Sequence, residues 1–143
     1  MRSLLDINLL LALLDGGHTL HERAHAWWRK EKPPWASCPL TENGVLRILS
    51  GATYSKTRRF SIPEVVASWS TFTSGTDHEF WPDAISVCDP TRFHHGRILT
   101  PRHLTDLYLL ALAVERGERL VTFDQGIQLA VVAKARAKHL VVL

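Results

Sequence analysis

The chain has 143 residues, 45% hydrophobic and 22% charged. That is the composition of one globular domain, expected to span 1–143. It is too apolar for disorder, and its apolar runs, Leu9–Leu14 among them, are too short for a membrane span. A net charge of +3 permits contact with nucleic acid without requiring it. The two cysteines, Cys38 and Cys88, form no C-x-x-C pair and read as small buried hydrophobes rather than ligands. Asp6 breaks the leucine stretch behind Arg2 that a signal peptide would need, so a cytoplasmic chain is expected.

In chain order, Arg2–Ile7 reads as a short buried strand and Asn8–Leu14 as a leucine-rich helix ended by Gly16-Gly17. Thr19 and Glu22 have the spacing of a capping box. The helix it would open carries Leu20, Ala24, Trp27 and Trp28 on one face, and Pro33-Pro34 stops it. Trp35–Cys38 is a second strand, followed by a helix over Thr41–Ser50 and a polar, basic loop over Gly51–Phe60. Ser61 and Glu64 form a second capping box, with Val65, Trp69 and Phe72 as the apolar side of the helix and Gly75 as its end. His78–Trp81 is a third strand, and Pro82 to Pro101 is irregular. The longest helix runs from Pro101 or Arg102 to Arg116. Leu120–Phe123 is a strand, Gln125–Ala137 is expected to be mostly helical, and Leu140–Leu143 is the last strand. Strands alternating with helices predict a three-layer α/β/α sandwich around a mostly parallel sheet.

Four acids stand where surface charges do not belong. Asp6 and Asp124 each follow a strand, at the end where open α/β sheets bind ligands. Asp106 opens into the run Leu107–Val114, a helix apolar nearly all round. Glu42 shares a helix face with Val45, Leu46 and Leu49. Buried carboxylates without partners cost several kcal/mol, and the only cation inside these apolar segments is Arg47, on the flank of the Glu42 helix. A hard divalent ion such as Mg²⁺ or Mn²⁺ joins such oxygens. Taken singly, Asp6, Asp124 and Glu42 are also compatible with helix capping or a favourable interaction with the helix dipole. Asn8 and Thr122 are read as groups that orient the carboxylates or bound water, Asn8 doubling as a cap.

Leu5-Asp6-Ile7-Asn8, Glu42 opening a helix, Leu104-Thr105-Asp106 running into Leu-Ala-Leu-Ala, and Thr122-Phe123-Asp124-Gln125 follow one another in an order that resembles a PIN domain. The likeness is nearest to the VapC toxins of bacterial toxin–antitoxin pairs, and His78–Asp83 is similar to a segment common in them. The resemblance spans the whole chain. It implies an Mg²⁺- or Mn²⁺-dependent endoribonuclease that cuts RNA with metal-activated water. It also implies inhibition by a cognate VapB-like antitoxin, and a homodimer. Asp6, Glu42, Asp106 and Asp124 fall on the family's acidic positions. Where some relatives add a further acid, this chain has Gln125 and His103 nearby, which leaves the number of ions open.

Within that frame, Lys56, Arg58 and Arg59 are candidates to hold the RNA backbone, and Trp27 and Trp28 to contact the antitoxin. His18, His21 and His25 have a zinc-like spacing but read as surface histidines. Two rival readings are a PIN-like RNA- or protein-binding domain with a relic site, and a phosphoaspartyl phosphatase-like enzyme. The second wants D-x-D after the first strand, where this chain has Asp6-Ile7-Asn8.

Overall fold

The computed structural model describes residues 1–143. Five strands, β1 (Ser3–Leu5), β2 (Trp35–Ser37), β3 (His78–Phe80), β4 (Arg119–Thr122) and β5 (Leu140–Val142), form one sheet in the order β3-β2-β1-β4-β5, parallel throughout. The α-helices are α1 (Ile7–Leu14), α2 (His21–Glu31), α3 (Pro39–Leu49), α4 (Ile62–Ser74) and α5 (Leu104–Glu115). The pleat divides the strand residues between two cores. Leu4, Ala36 and Leu120 face α5 together with Trp81, Phe93, Ile127 and Val131. Leu5, Trp35 and Val121 face the layer built by α1 to α4. The three layers are therefore those the alternating pattern predicts. No helix is long and apolar enough to cross a membrane.

Local chemistry explains most boundaries. Ser61 Oγ accepts from the Glu64 N–H while Glu64 accepts from the Ser61 N–H, the reciprocal cap read from the sequence. The Thr19–Glu22 box does not form: α2 starts at His21, with Leu20 at its N-cap and no side-chain cap. His21 and His25 turn instead to the end of α1, where their ring nitrogens bond the carbonyls of Ala12 and Leu13 at 2.7 and 3.0 Å. The imidazoles serve the free carbonyls of a helix C-terminus, and His18, His21 and His25 do not come together as a group that could hold a metal. Cys38 is buried as expected, whereas Cys88 is exposed, on the irregular stretch between β3 and α5.

The expected helix over Gln125–Ala137 is absent. The segment holds only single 3₁₀ turns at Leu129–Val131 and Ala137–His139. Its backbone groups are taken by tertiary partners: the His94 N–H donates to Val131 O, the Ala133 N–H to Arg92 O, and Phe93 bridges Val132 antiparallel. Lys134, at φ 64°, then lies in the left-handed region that no helix continues through. The apolar residues that suggested a helix face serve the core from an extended path.

Trp28 is half-buried, edge-on to Trp35 at 6.2 Å and tilted against Phe72 at 5.2 Å. It thus joins the aromatic core over the sheet, with Trp27 at 6.1 Å beside it. Arg58 also has structural employment. Its guanidinium pairs with Asp15, a buried carboxylate at the end of α1 that also accepts from Tyr54 Oη at 2.6 Å and from the Gly17 N–H at 2.9 Å. The pair anchors the 51–60 loop about 12 Å from Asp6, at the other end of the eight-residue α1. Arg59 donates to the carbonyls of Ala52 and Ser55, which leaves Lys56 as the cation of the trio with no side-chain bond. Arg58→Ala should lower the melting temperature by several degrees and leave RNA cleavage by the folded fraction unchanged. Calorimetric melts beside a cleavage assay check this. Unchanged melting with lost cleavage would return Arg58 to the RNA-holding role.

Candidate active site

Strand β1 lies where the chain's path reverses, with β2 on one side and β4 on the other. Ligands of open α/β sheets bind beyond the carboxyl ends of such a strand pair. Asp6 follows β1 and Asp124 lies two residues beyond β4. Opposite them, a 3₁₀ turn at Pro101–His103, capped by Thr100 Oγ1, runs into α5. His103 and Asp106, three residues apart at that helix start, project from the same face.

Asp6 is only 2% exposed. Its Oδ2 accepts from Thr122 Oγ1 at 2.8 Å, and the same hydroxyl oxygen accepts from the Asp124 N–H at 3.0 Å. Thr122 thus ties the two strand-end acids together. Asp124 Oδ1 accepts from the Gly126 N–H at 2.6 Å, and its Oδ2 stands 3.5 Å from His103 Nδ1. One ligand atom each from His103, Asp106 and Asp124 lies within 4.8 Å of the others.

The electrostatics record the crowding. Burial pushes the Asp106 carboxyl up to about 7, helped by the negative charges of Asp6 and Asp124, while Arg102 pulls the other way. Asp6 is raised as well, by burial first. The Thr122 hydroxyl and the amides of Ile7 and Asn8 oppose that rise, and the charge of Asp124 adds to it.

Glu42 sits apart from this trio. It lies in the first turn of α3, half-buried, with Oε1 accepting from Trp69 Nε1 of α4 at 3.1 Å. Gly44 keeps that turn close to the strand end, because any Cβ there would collide with the Ile7 side chain. Asn8 is exposed in the first turn of α1. Two contributors are not among the site residues expected from the sequence: His103, which the fold delivers to Asp124, and Arg102, whose charge reaches Asp106. The spacing His-x-x-Asp at a helix start was the available clue to the first. Beside His103 opens a cleft of about 190 Å³ lined by Arg97, Leu99, Thr100, Leu107 and Gln128.

A divalent cation fits these residues. The donors are hard carboxylate oxygens and an imidazole. His103 Nδ1 is buried with no hydrogen-bond partner, and a Cβ at Gly126 would stand 2.9 Å from His103 Cε1 and 3.2 Å from Asp124 Oδ1. The glycine keeps the cradle open.

The family model of the PIN domain matches residues 3–134. Ribonuclease VapC44 of Mycobacterium tuberculosis is 42% identical over 144 residues, covering all of both chains. Ribonuclease VapC39 of the same organism is 34% identical over 129 residues, 89% of this chain and 91% of its own. Two solved structures share the fold at low identity. They are M. tuberculosis VapC20, described as a sarcin–ricin-loop-cleaving toxin (TM-score 0.58, 14% identity, 82% of this chain and 85% of that one), and VapBC2 of Rickettsia felis bound to a promoter DNA fragment (TM-score 0.55, 15% identity, 87% and 89%). The strand-end acids and the full-length likeness agree: the chain belongs to the PIN-domain family and, within it, to the VapC ribonucleases.

Proposed function

We propose that this protein is the toxin of a toxin–antitoxin pair, an endoribonuclease dependent on Mg²⁺ or Mn²⁺. The observation that carries the reading is the acid cluster at the β1/β4 switch point of a chain alike over its full length to a named ribonuclease. Asp6, Asp106 and Asp124 would hold the ion, with Glu42 completing the site directly or through water. When bound, a divalent ion acidifies water and neutralises phosphate charge. Thr122 fixes the orientation of Asp6 and Asp124, and Gly126 that of Asp124, so the anionic site needs no rearrangement when a substrate phosphate arrives. Arg102 offsets part of the cluster's negative charge toward that phosphate. The cleft at Leu99 and Gln128, lined also by His103 and Gly126, would take a base or sugar of the bound RNA next to the cluster. Water's oxygen bonds to phosphorus, the P–O3′ bond breaks, and the proton passes to the leaving 3′-oxygen.

A VapB-like antitoxin and a second copy of the chain are the proposed protein partners. An apolar antitoxin segment has a seat in the groove floored by Leu13, Leu14 and Phe72, beside α4 with its exposed Ile62 and Val66.

The test is RNA cleavage with end-group analysis. Activity should vanish with chelator, return with Mg²⁺ or Mn²⁺, and leave 5′-phosphate and 3′-hydroxyl ends. Cleavage that persists in excess chelator, or 2′,3′-cyclic phosphate ends, would overturn the proposal.

A further inference from the structure

We propose that His103 is itself a ligand of the divalent ion, which makes the centre a mixed nitrogen–oxygen site. The inference rests on the metal reading above and goes beyond its carboxylates. His103 Nδ1 and Asp124 Oδ2 are 3.5 Å apart, too far for a sound hydrogen bond. Two adjacent donors each about 2.1 Å from one octahedral ion lie about 3.0 Å apart. The observed gap is slightly wider than that, so a small closing of the two side chains would bring both onto one ion. The Nδ1 atom is buried and bonds to nothing in the protein, although the ring as a whole is 21% exposed. A buried ring nitrogen left so costs stability unless something occupies its lone pair or its proton.

Three further features converge on the same ring. Asp106 follows His103 by three residues at the start of a helix, the separation by which two ligands on one helix face reach a common metal. The ligand atoms of His103, Asp106 and Asp124 all lie within 4.8 Å of one another. Gly126 clears the space between the imidazole and the Asp124 carboxylate, where any side chain would press on both. The alternative role, in which His103 only orients Asp124 through a hydrogen bond, needs a shorter contact than the one present.

Imidazole is a better partner for transition ions than for Mg²⁺, which favours oxygen. The protein should therefore bind Mn²⁺ more tightly than Mg²⁺, and His103→Gln should weaken Mn²⁺ binding about 10-fold or more while affecting Mg²⁺ less. The decisive experiment uses Mn²⁺ alone as the probe. Pulsed electron paramagnetic resonance on the full chain should show a directly coordinated ¹⁴N coupling. In wild-type protein grown with ¹⁵N-histidine that coupling should become a ¹⁵N coupling, which needs no variant to fold. In His103→Gln it should disappear. Bound Mn²⁺ without a nitrogen coupling, or a coupling that survives in His103→Gln, overturns the inference and leaves the carboxylate metal site standing. Failure of Mn²⁺ to bind the wild-type chain overturns both.

Discussion

Asp106→Asn should reduce RNA cleavage by at least about a thousand-fold, because it takes away a charged oxygen where phosphate charge must be offset. The same change should stabilise the metal-free protein at neutral pH. The Asp106 carboxyl is raised from 3.8 to about 7 in the folded chain. The folded state therefore keeps a proton that the unfolded chain releases, and stability from this group is complete below about pH 4. It is lost as pH rises towards 7. Measured in chelator, the melting temperature of the wild type should accordingly fall relative to that of Asp106→Asn from about pH 5 to pH 7.5. Asp6, raised in the same direction, and His18, His78 and His139, lowered by burial and so acting the opposite way, contribute equally to both proteins and drop out of the difference. Saturating Mn²⁺ should reverse the trend for the wild type, since an ion bound only to the folded state adds stability. An Asp106→Asn protein that still cleaves at wild-type rate would remove this carboxylate from the site.

Thr122→Val should cost about 10- to 100-fold in metal affinity or in kcat, although Thr122 touches neither ion nor RNA in this reading. Its hydroxyl is buried and has two employments, donating to Asp6 Oδ2 and accepting from the Asp124 N–H. Valine keeps the shape and removes both bonds. Asp6 then loses its hydroxyl donor, so its carboxyl rises further, and the Asp124 backbone is no longer tied to the strand end. Thr122→Ser keeps the hydroxyl and should restore most of the loss. Calorimetric Mn²⁺ titration with a parallel kcat measurement checks this. Damage from serine but not from valine would mean that packing of the methyl group, not orientation of the acids, is what matters at this position.

The sequence by itself determined the layered fold and the positions of the acids, for a physical reason. Parallel strands buried on both faces must read as short apolar runs, and a carboxylate at the end of such a run stands out. Leu4-Leu5-Asp6 and Leu120-Val121-Thr122-Phe123-Asp124 carry that signal without any knowledge of their neighbours. The Ser61–Glu64 cap is legible for the same reason, since both partners lie within one turn. What depends on partners remote in the chain was decided only by the tertiary structure. The apolar residues after Gln125 suggested a helix, but strand-like pairing with residues 92–94 claimed the backbone. Arg58 looked free in a basic loop until the fold set it against Asp15, 43 residues earlier. Glu42 shared its helix face with core residues, yet only the packing of α4 gave its carboxylate the Trp69 indole. His103 lay three residues from a conspicuous acid, and only the path of β4 to Asp124 and Gly126 placed that ring beside a second carboxylate. Burial pattern and capping are local and can be read along the chain. Which donor meets which acceptor across the sheet edge is set by the register of the strands and the packing of the helices upon them.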